Sequence, residues 1–167
     1  DINERSLYFD LKTITYTAQY RLAEMKGWKT SFGINGMQQN NTNKGVEQLI
    51  PDYNLFDFGI YAFSQKTIKK LTVSGGVRFD NRNINAENLL DGISIKGDAF
   101  KKSFSNVSGS IGLAAQVTNA INLKFNIARG FRAPSIPELA SNGAHEGTTR
   151  YEYGNTALKS ETSIQLD

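Results

Sequence analysis

The residue types able to do chemistry in this chain gather in one stretch, GFRAPSIPELASNGAHEGTTRYEYGN, from Gly130 to Asn155. It holds the single histidine, His145, together with Arg132, Arg150, Tyr151 and Tyr153, and two of the three prolines. A neutral imidazole can ligate a transition metal. A guanidinium can take an anionic group through a two-pronged hydrogen bond, and tyrosine rings can stack on a ligand or anchor a loop. Each residue also has a structural reading. Arg129 and Arg132 are expected to pair with rim carboxylates such as Glu138 or Asp80, the alternative being an electropositive rim that draws an anionic ligand. A lone histidine in a polar loop is often simply a hydrogen-bonding group. Covalent catalysis lacks its parts: there is no cysteine, no Gly-x-Ser-x-Gly elbow and no spaced metal-ligand cluster, and Glu146 beside His145 makes no recognisable dyad. The inventory is that of a binder, not an enzyme.

A connection this long without helical or strand period is either functional or disordered. Pro134 and Pro137 fix φ and remove donors, which predicts an extended turn that leaves the strand ladder. On either side of the stretch the chain alternates with period two. Ile14, Tyr16, Ala18, Tyr20 and Leu22 share one face, whereas Leu7, Phe9 and Leu11 sit on the opposite parity, which predicts a bulge or bend near Lys12. Trp28 to Gly36 and Tyr53 to Ser64 follow as strands, with Tyr61 and Phe63 blurring the phase of the second. Leu71 to Asp80, Val107 to Val117 and Ile121 to Ala128 alternate cleanly, and a seventh strand begins near Lys159. The expected fold is all-β, an antiparallel up-and-down meander of about seven strands.

The connections alternate too. Residues 23 to 27, 65 to 69 and 118 to 120 are short turns, while 37 to 52, 81 to 102 and 130 to 158 are long and polar. A soluble sandwich has no reason to place every long loop at one end, but a transmembrane barrel has short periplasmic turns and long extracellular loops. No apolar run approaches the roughly 20 residues of a membrane-spanning helix. A mean hydropathy of -0.41 suits strands with one apolar and one polar face. Tyr20 and Trp28 flank one short turn, where an interfacial aromatic girdle would lie. Six strands and a stub cannot close into a barrel without leaving backbone groups unpaired in lipid, so the chain is expected to be a segment of a larger one. The net charge of +3 is scattered, with no basic stripe for nucleic acid. A soluble β-sheet module for glycan binding or adhesion, using the Asn-rich MQQNNTNKG loop, is the reading from another class.

ARGFRAPSIPEL, Ala128 to Leu139, resembles the FRAP box of TonB-dependent outer-membrane receptors, carried here by Phe131, Arg132, Ala133 and Pro134. GNTALKSETSIQLD, Gly154 to Asp167, is similar to the family's Gly-Asn-Pro-Asn-Leu-Lys-Pro-Glu run, with Asn155 and Leu158 at matching positions and Thr156, Ala157 and Ser160 departing from it. LIPDYNLFDFGIYAF and LTVSGGVRFDNR resemble strands of the same barrels. The resemblance implies that residues 1–167 are part of one 22-stranded transmembrane barrel domain in the bacterial outer membrane. It also implies outer-membrane lipid around that barrel, and a separate plug domain, unrecognised in these residues, that contacts the TonB complex. The implied activity is energised uptake of a scarce chelated nutrient as a small-molecule ligand, a ferric siderophore first, with no resident cofactor. In haem-transporting members a histidine lies between the two boxes. His145 occupies that interval and would ligate metal only if the cargo is haem. Arg132, Arg150, Tyr151 and Tyr153 are the other candidate ligand contacts.

Overall fold

The computed structural model of the chain describes residues 7–144 and 150–167. Strands β1 (Phe9–Arg21), β2 (Trp28–Asn43), β3 (Tyr53–Ile68) and β4 (Leu71–Ala86) are followed by a small hairpin, β5 (Leu89–Asp91) and β6 (Ser94–Gly97). Then come β7 (Phe100–Gln116), β8 (Asn122–Arg132), the short helix α1 (Ile136–Ala140), a second hairpin of β9 (Asn142–Ala144) and β10 (Tyr151–Tyr153), and finally β11 (Glu161–Leu166). The large sheet has the order β1-β2-β3-β4-β7-β8-β11, antiparallel throughout. This is the seven-stranded meander expected from the alternation.

The ends of the sheet differ as the loop lengths require. At one end β1 and β2 are joined through Lys26 and Gly27, both with positive φ (52° and 80°), and Met25 and Trp28 exchange both backbone hydrogen bonds. Two consecutive left-handed residues make the turn whose twist matches paired strands. At the other end stand three outer loops, residues 44–52, 87–99 and 133–160. They are shorter than the sequence implies, because Met37–Asn43, Asn81–Ala86 and Phe100–Ser105 are strand and not loop. Polar side chains there bond across the strands instead of breaking them: Asn40 Nδ2 donates to Asn54 Oδ1 at 2.8 Å and Asn81 Nδ2 to Ser105 Oγ at 2.8 Å.

Continuous register makes it possible to follow each face of the sheet. Near the short turns the apolar side chains point outward, in rows such as Ala18, Ile34, Ile60, Phe79 and Val107. Near the outer loops the parity inverts. The row Leu11, Asn41, Tyr53, Ala86 and Phe100 lies on the inner face, and Tyr53, Leu55, Ile84, Ala86 and Phe104 form a buried core there with Ile136 and Leu139 of α1. The same inversion accounts for Leu7, Phe9 and Leu11. No bulge occurs near Lys12: β1 pairs with β2 without a register shift from Phe9 to Arg21. The strand stays regular, and Phe9 and Leu11 lie on the inner parity at the edge of the sheet, 38% and 52% exposed and outside the buried core. Tyr61 and Phe63 also fall on the inner parity, each lying beside a cross-strand glycine, Gly33 and Gly76, where a Cβ would press on the ring.

Below the core the inner face turns polar and lines an open concavity of about 860 Å³. Arg82 makes a two-pronged pair with Asp57 (2.8 and 2.7 Å), and Arg78 bonds Asp80 on its own strand and Asn35 Oδ1 (2.6 Å). Neighbouring charges of opposite sign thus balance along this wall.

Candidate functional site

The segment after β8 is held from its first residues. Pro134 is buried, and Ser135 caps α1: the Glu138 amide reaches the Ser135 hydroxyl (3.5 Å), and the Glu138 carboxylate accepts from the Ser135 amide (2.8 Å) and hydroxyl (2.9 Å). This is a capping box with Pro137 in the first turn, where no amide hydrogen is needed. The prolines therefore start a helix and do not hold an extended turn. The S-x-x-E spacing of SIPE is the signal that could have revealed it. Ile136 and Leu139, 4% and 1% exposed, then bury into the inner face.

Arg132 lies at the centre of a three-way tie. Its guanidinium bonds both Glu138 oxygens (2.9 and 2.8 Å) and reaches Glu161 of β11 (3.1 Å). The pairing with Glu138 is the structural role expected of it, while Asp80 is taken by Arg78. Arg129 bonds Asn106 Oδ1 (2.9 Å) and the Val107 carbonyl. Donation from the Ser135 amide, then from its hydroxyl and from Arg132, holds Glu138 down at about 2 from an ordinary 4.5.

The second motif locks onto the first. The Asn155 amide donates to the Glu138 carbonyl (2.8 Å), the Asn155 side chain accepts from Ala157, and Leu158 N–H returns to the Asn155 carbonyl. Gly154 stands so close to α1 that a Cβ there would overlap the backbone of Leu139 and Ala140. Phe131 and Ala133 are half-buried, and Leu158 is at the surface.

Hairpin β9–β10 rises from this base. Tyr151 and Tyr153 are exposed, with ring centroids 4.5 Å apart, and Arg150 stands exposed just before them. His145 falls in the segment that joins the two strands, outside the described residues. The structure thus brings Tyr151, Tyr153 and Arg150 together on one hairpin and sets Arg132 apart at its foot. Among the described residues no group of acidic, histidine or cysteine side chains could hold a metal ion.

Comparison with known proteins supplies the class. Residues 2–167 match the family described as TonB dependent receptor-like, beta-barrel. The chain belongs to the TonB-dependent receptor family. It is 28% identical over 173 residues to the TonB-dependent heme receptor A of Haemophilus ducreyi, covering 99% of this chain and 23% of that protein. It is 27% identical over 146 residues to the TonB-dependent heme receptor A of Haemophilus influenzae, covering 83% and 20%. The copper transporter OprC superposes with a TM-score of 0.70 at 14% identity, over 95% of this chain and 27% of its own, which shows the fold. The chain thus spans roughly a quarter or less of the length of these proteins.

As a TonB-dependent receptor barrel segment, the chain is placed in the bacterial outer membrane. Its outward apolar band is then the lipid-facing surface, the inner face is the lumen wall, and the three outer loops are extracellular. The soluble glycan-binding alternative is not favoured: such a module would bury the apolar band that this sheet turns outward.

Proposed function

We propose that the chain is part of a receptor that imports haem across the outer membrane, energised through the TonB complex by way of a plug domain. The observation that carries this reading is the similarity, along almost the whole chain, to two proteins named as haem receptors. The hairpin supports it. His145 lies, in sequence, between the FRAP-type and Asn-x-x-Leu-Lys motifs, and the exposed Tyr151 and Tyr153 rings follow it closely. A neutral imidazole is an axial ligand for haem iron, flanking rings offer apolar area to a flat macrocycle, and Arg150 suits a propionate. The ferric siderophore expected from the family resemblance has no feature of its own in this chain to favour it. Haem as a small-molecule cargo fits both the motifs and the relatives.

The test uses the full-length receptor in detergent. Titration with haemin should shift and sharpen the Soret band with saturation, and His145→Ala should abolish most of that change. Cells relying on the receptor should grow on haem as iron source and stop with the same variant. A wild-type receptor that leaves the Soret band of haemin unaltered while supporting growth on a ferric siderophore would sink the haem reading.

A further inference from the structure

Asn142 makes three hydrogen bonds to three different places. Its amide N–H donates to the Leu49 carbonyl of the first outer loop at 3.1 Å. Its side-chain NH₂ donates to the Lys96 carbonyl of the second at 2.7 Å, and its side-chain oxygen accepts from the Tyr151 hydroxyl of the third at 2.8 Å. Around it, Leu49 is buried, and a Cβ at Gly143 would stand 3.2 Å from the Leu49 side chain and 3.7 Å from Lys96 Nζ. Two further ties join the first two loops directly: the Leu90 amide donates to Gln48 Oε1 at 3.1 Å, and, next to the strand ends, the Glu87 amide donates to the Asp52 carbonyl at 2.9 Å.

We infer that Asn142 is a positioning residue that couples the three extracellular loops, so that the β9–β10 hairpin moves with the loops beside it and not alone. The argument is one of hydrogen-bond valence. Asparagine is a side chain that offers a donor and an acceptor at the same point, and here the donor secures a neighbouring loop while the acceptor secures the hairpin's own second strand. Loops are otherwise the most mobile parts of a barrel, held by few buried contacts. Because the tie to Leu49 uses the backbone, substitution of the side chain cuts only the tie to the second loop and the tie to Tyr151. A hairpin released in this way samples more conformations, and a ligand bound there must order them first. The consequence for haem rests on the reading above; the coupling of the loops does not.

The discriminating experiment measures distances between spin labels in the full-length receptor, with one label at Ala144→Cys on the hairpin and the other at Glu47→Cys (first loop) or Asp91→Cys (second loop). Asn142→Asp keeps an acceptor for Tyr151 and loses the donor for Lys96; Asn142→Ala loses both. In a Gln48→Ala background, which removes the direct side-chain tie and leaves the Glu87–Asp52 backbone bond next to the strand ends, both variants should broaden the 144–91 distance distribution about twofold and leave 144–47 narrow, whereas Gln48→Ala alone should leave both narrow. Haem should dissociate about fivefold faster from Asn142→Ala, the size expected for one net hydrogen bond. Unchanged distances in all variants, or equal broadening of both pairs as general destabilisation would give, overturns the coupling. Selective broadening in a receptor that does not bind haem upholds the coupling and removes the haem reading alone.

Discussion

The Glu138 carboxylate accepts from the Ser135 amide, the Ser135 hydroxyl and the Arg132 guanidinium, and Arg132 in turn reaches Glu161 on the neighbouring strand. Four residues from β8, α1 and β11 thus close a network at the foot of the loop. With its pKa lowered from 4.5 to about 2, Glu138 stabilises the loop wherever the pH is above about 4.5, and that contribution is lost as pH falls through about 2. Glutamine at the same position can still reach back to the cap amide but cannot pair with Arg132. Glu138→Gln should therefore loosen the loop moderately at neutral pH and flatten its acid dependence between pH 4.5 and 2. Glu138→Ala should loosen it further, and Ser135→Ala should cost about 1 kcal/mol of local stability as an N-cap loss. Hydrogen exchange of the Leu139 and Ser141 amides, compared with strand amides in the same sample, checks the order. Equal exchange in Glu138→Gln and Glu138→Ala would show that the cap contributes nothing beyond the ion pair.

At the scale of elements, the strands were legible because a half-lipid, half-lumen environment writes period two into the sequence, and the short turns were legible through their brevity. Two features were not. α1 is too short to show a helical period, and only its capping box marks it. The outer ends of β2, β4 and β7 read as loop because their Asn, Ser and Lys residues lack an apolar alternation, although they pair in the ladder as strand, with amide–amide and amide–hydroxyl bonds across it. The parity change in β1 was visible, but it marks no bulge: the strand keeps its register, and Leu11 lies on the inner face in the row whose Tyr53 and Ala86 pack in the core with α1. For the site, the pairing of Arg132 with Glu138 could be read from sequence, whereas the role of Asn142 depends on loops far apart in the chain. The face assignment has a direct consequence. Ile111 lies outward in a row with Gly75 and Ile127, and Ser110 lies inward. An arginine facing lipid near the bilayer midplane costs roughly 2 to 4 kcal/mol. Ile111→Arg should thus lower the yield of heat-modifiable folded receptor sharply, while Ser110→Arg should leave it near the parental level. Equal losses would reverse or erase the assignment of faces.

For the molecule as a whole, the seven strands form a sheet with two open edges among the described residues, where β1 pairs with β2 and β11 with β8. Each edge presents a row of backbone groups that need partners, and in lipid an unpaired row has no water to turn to. The outward face adds a continuous apolar surface: Ile14, Ile111, Leu123 and Ile164 are between 61% and 81% exposed. The buried core is small and confined to the loop end, where α1 covers the inner face. Edges and apolar band together favour association over a solitary folded state. Residues 1–167 expressed alone should accordingly aggregate in buffer or require detergent, and should regain order on pairing with the strands that flank β1 and β11 in the full receptor. Sedimentation velocity in aqueous buffer, alongside the same sample in detergent, distinguishes the cases. A compact 18.5 kDa monomer in buffer that unfolds cooperatively would mean that the chain buries its outward band against itself, and the lipid-facing role of that band would have to be abandoned.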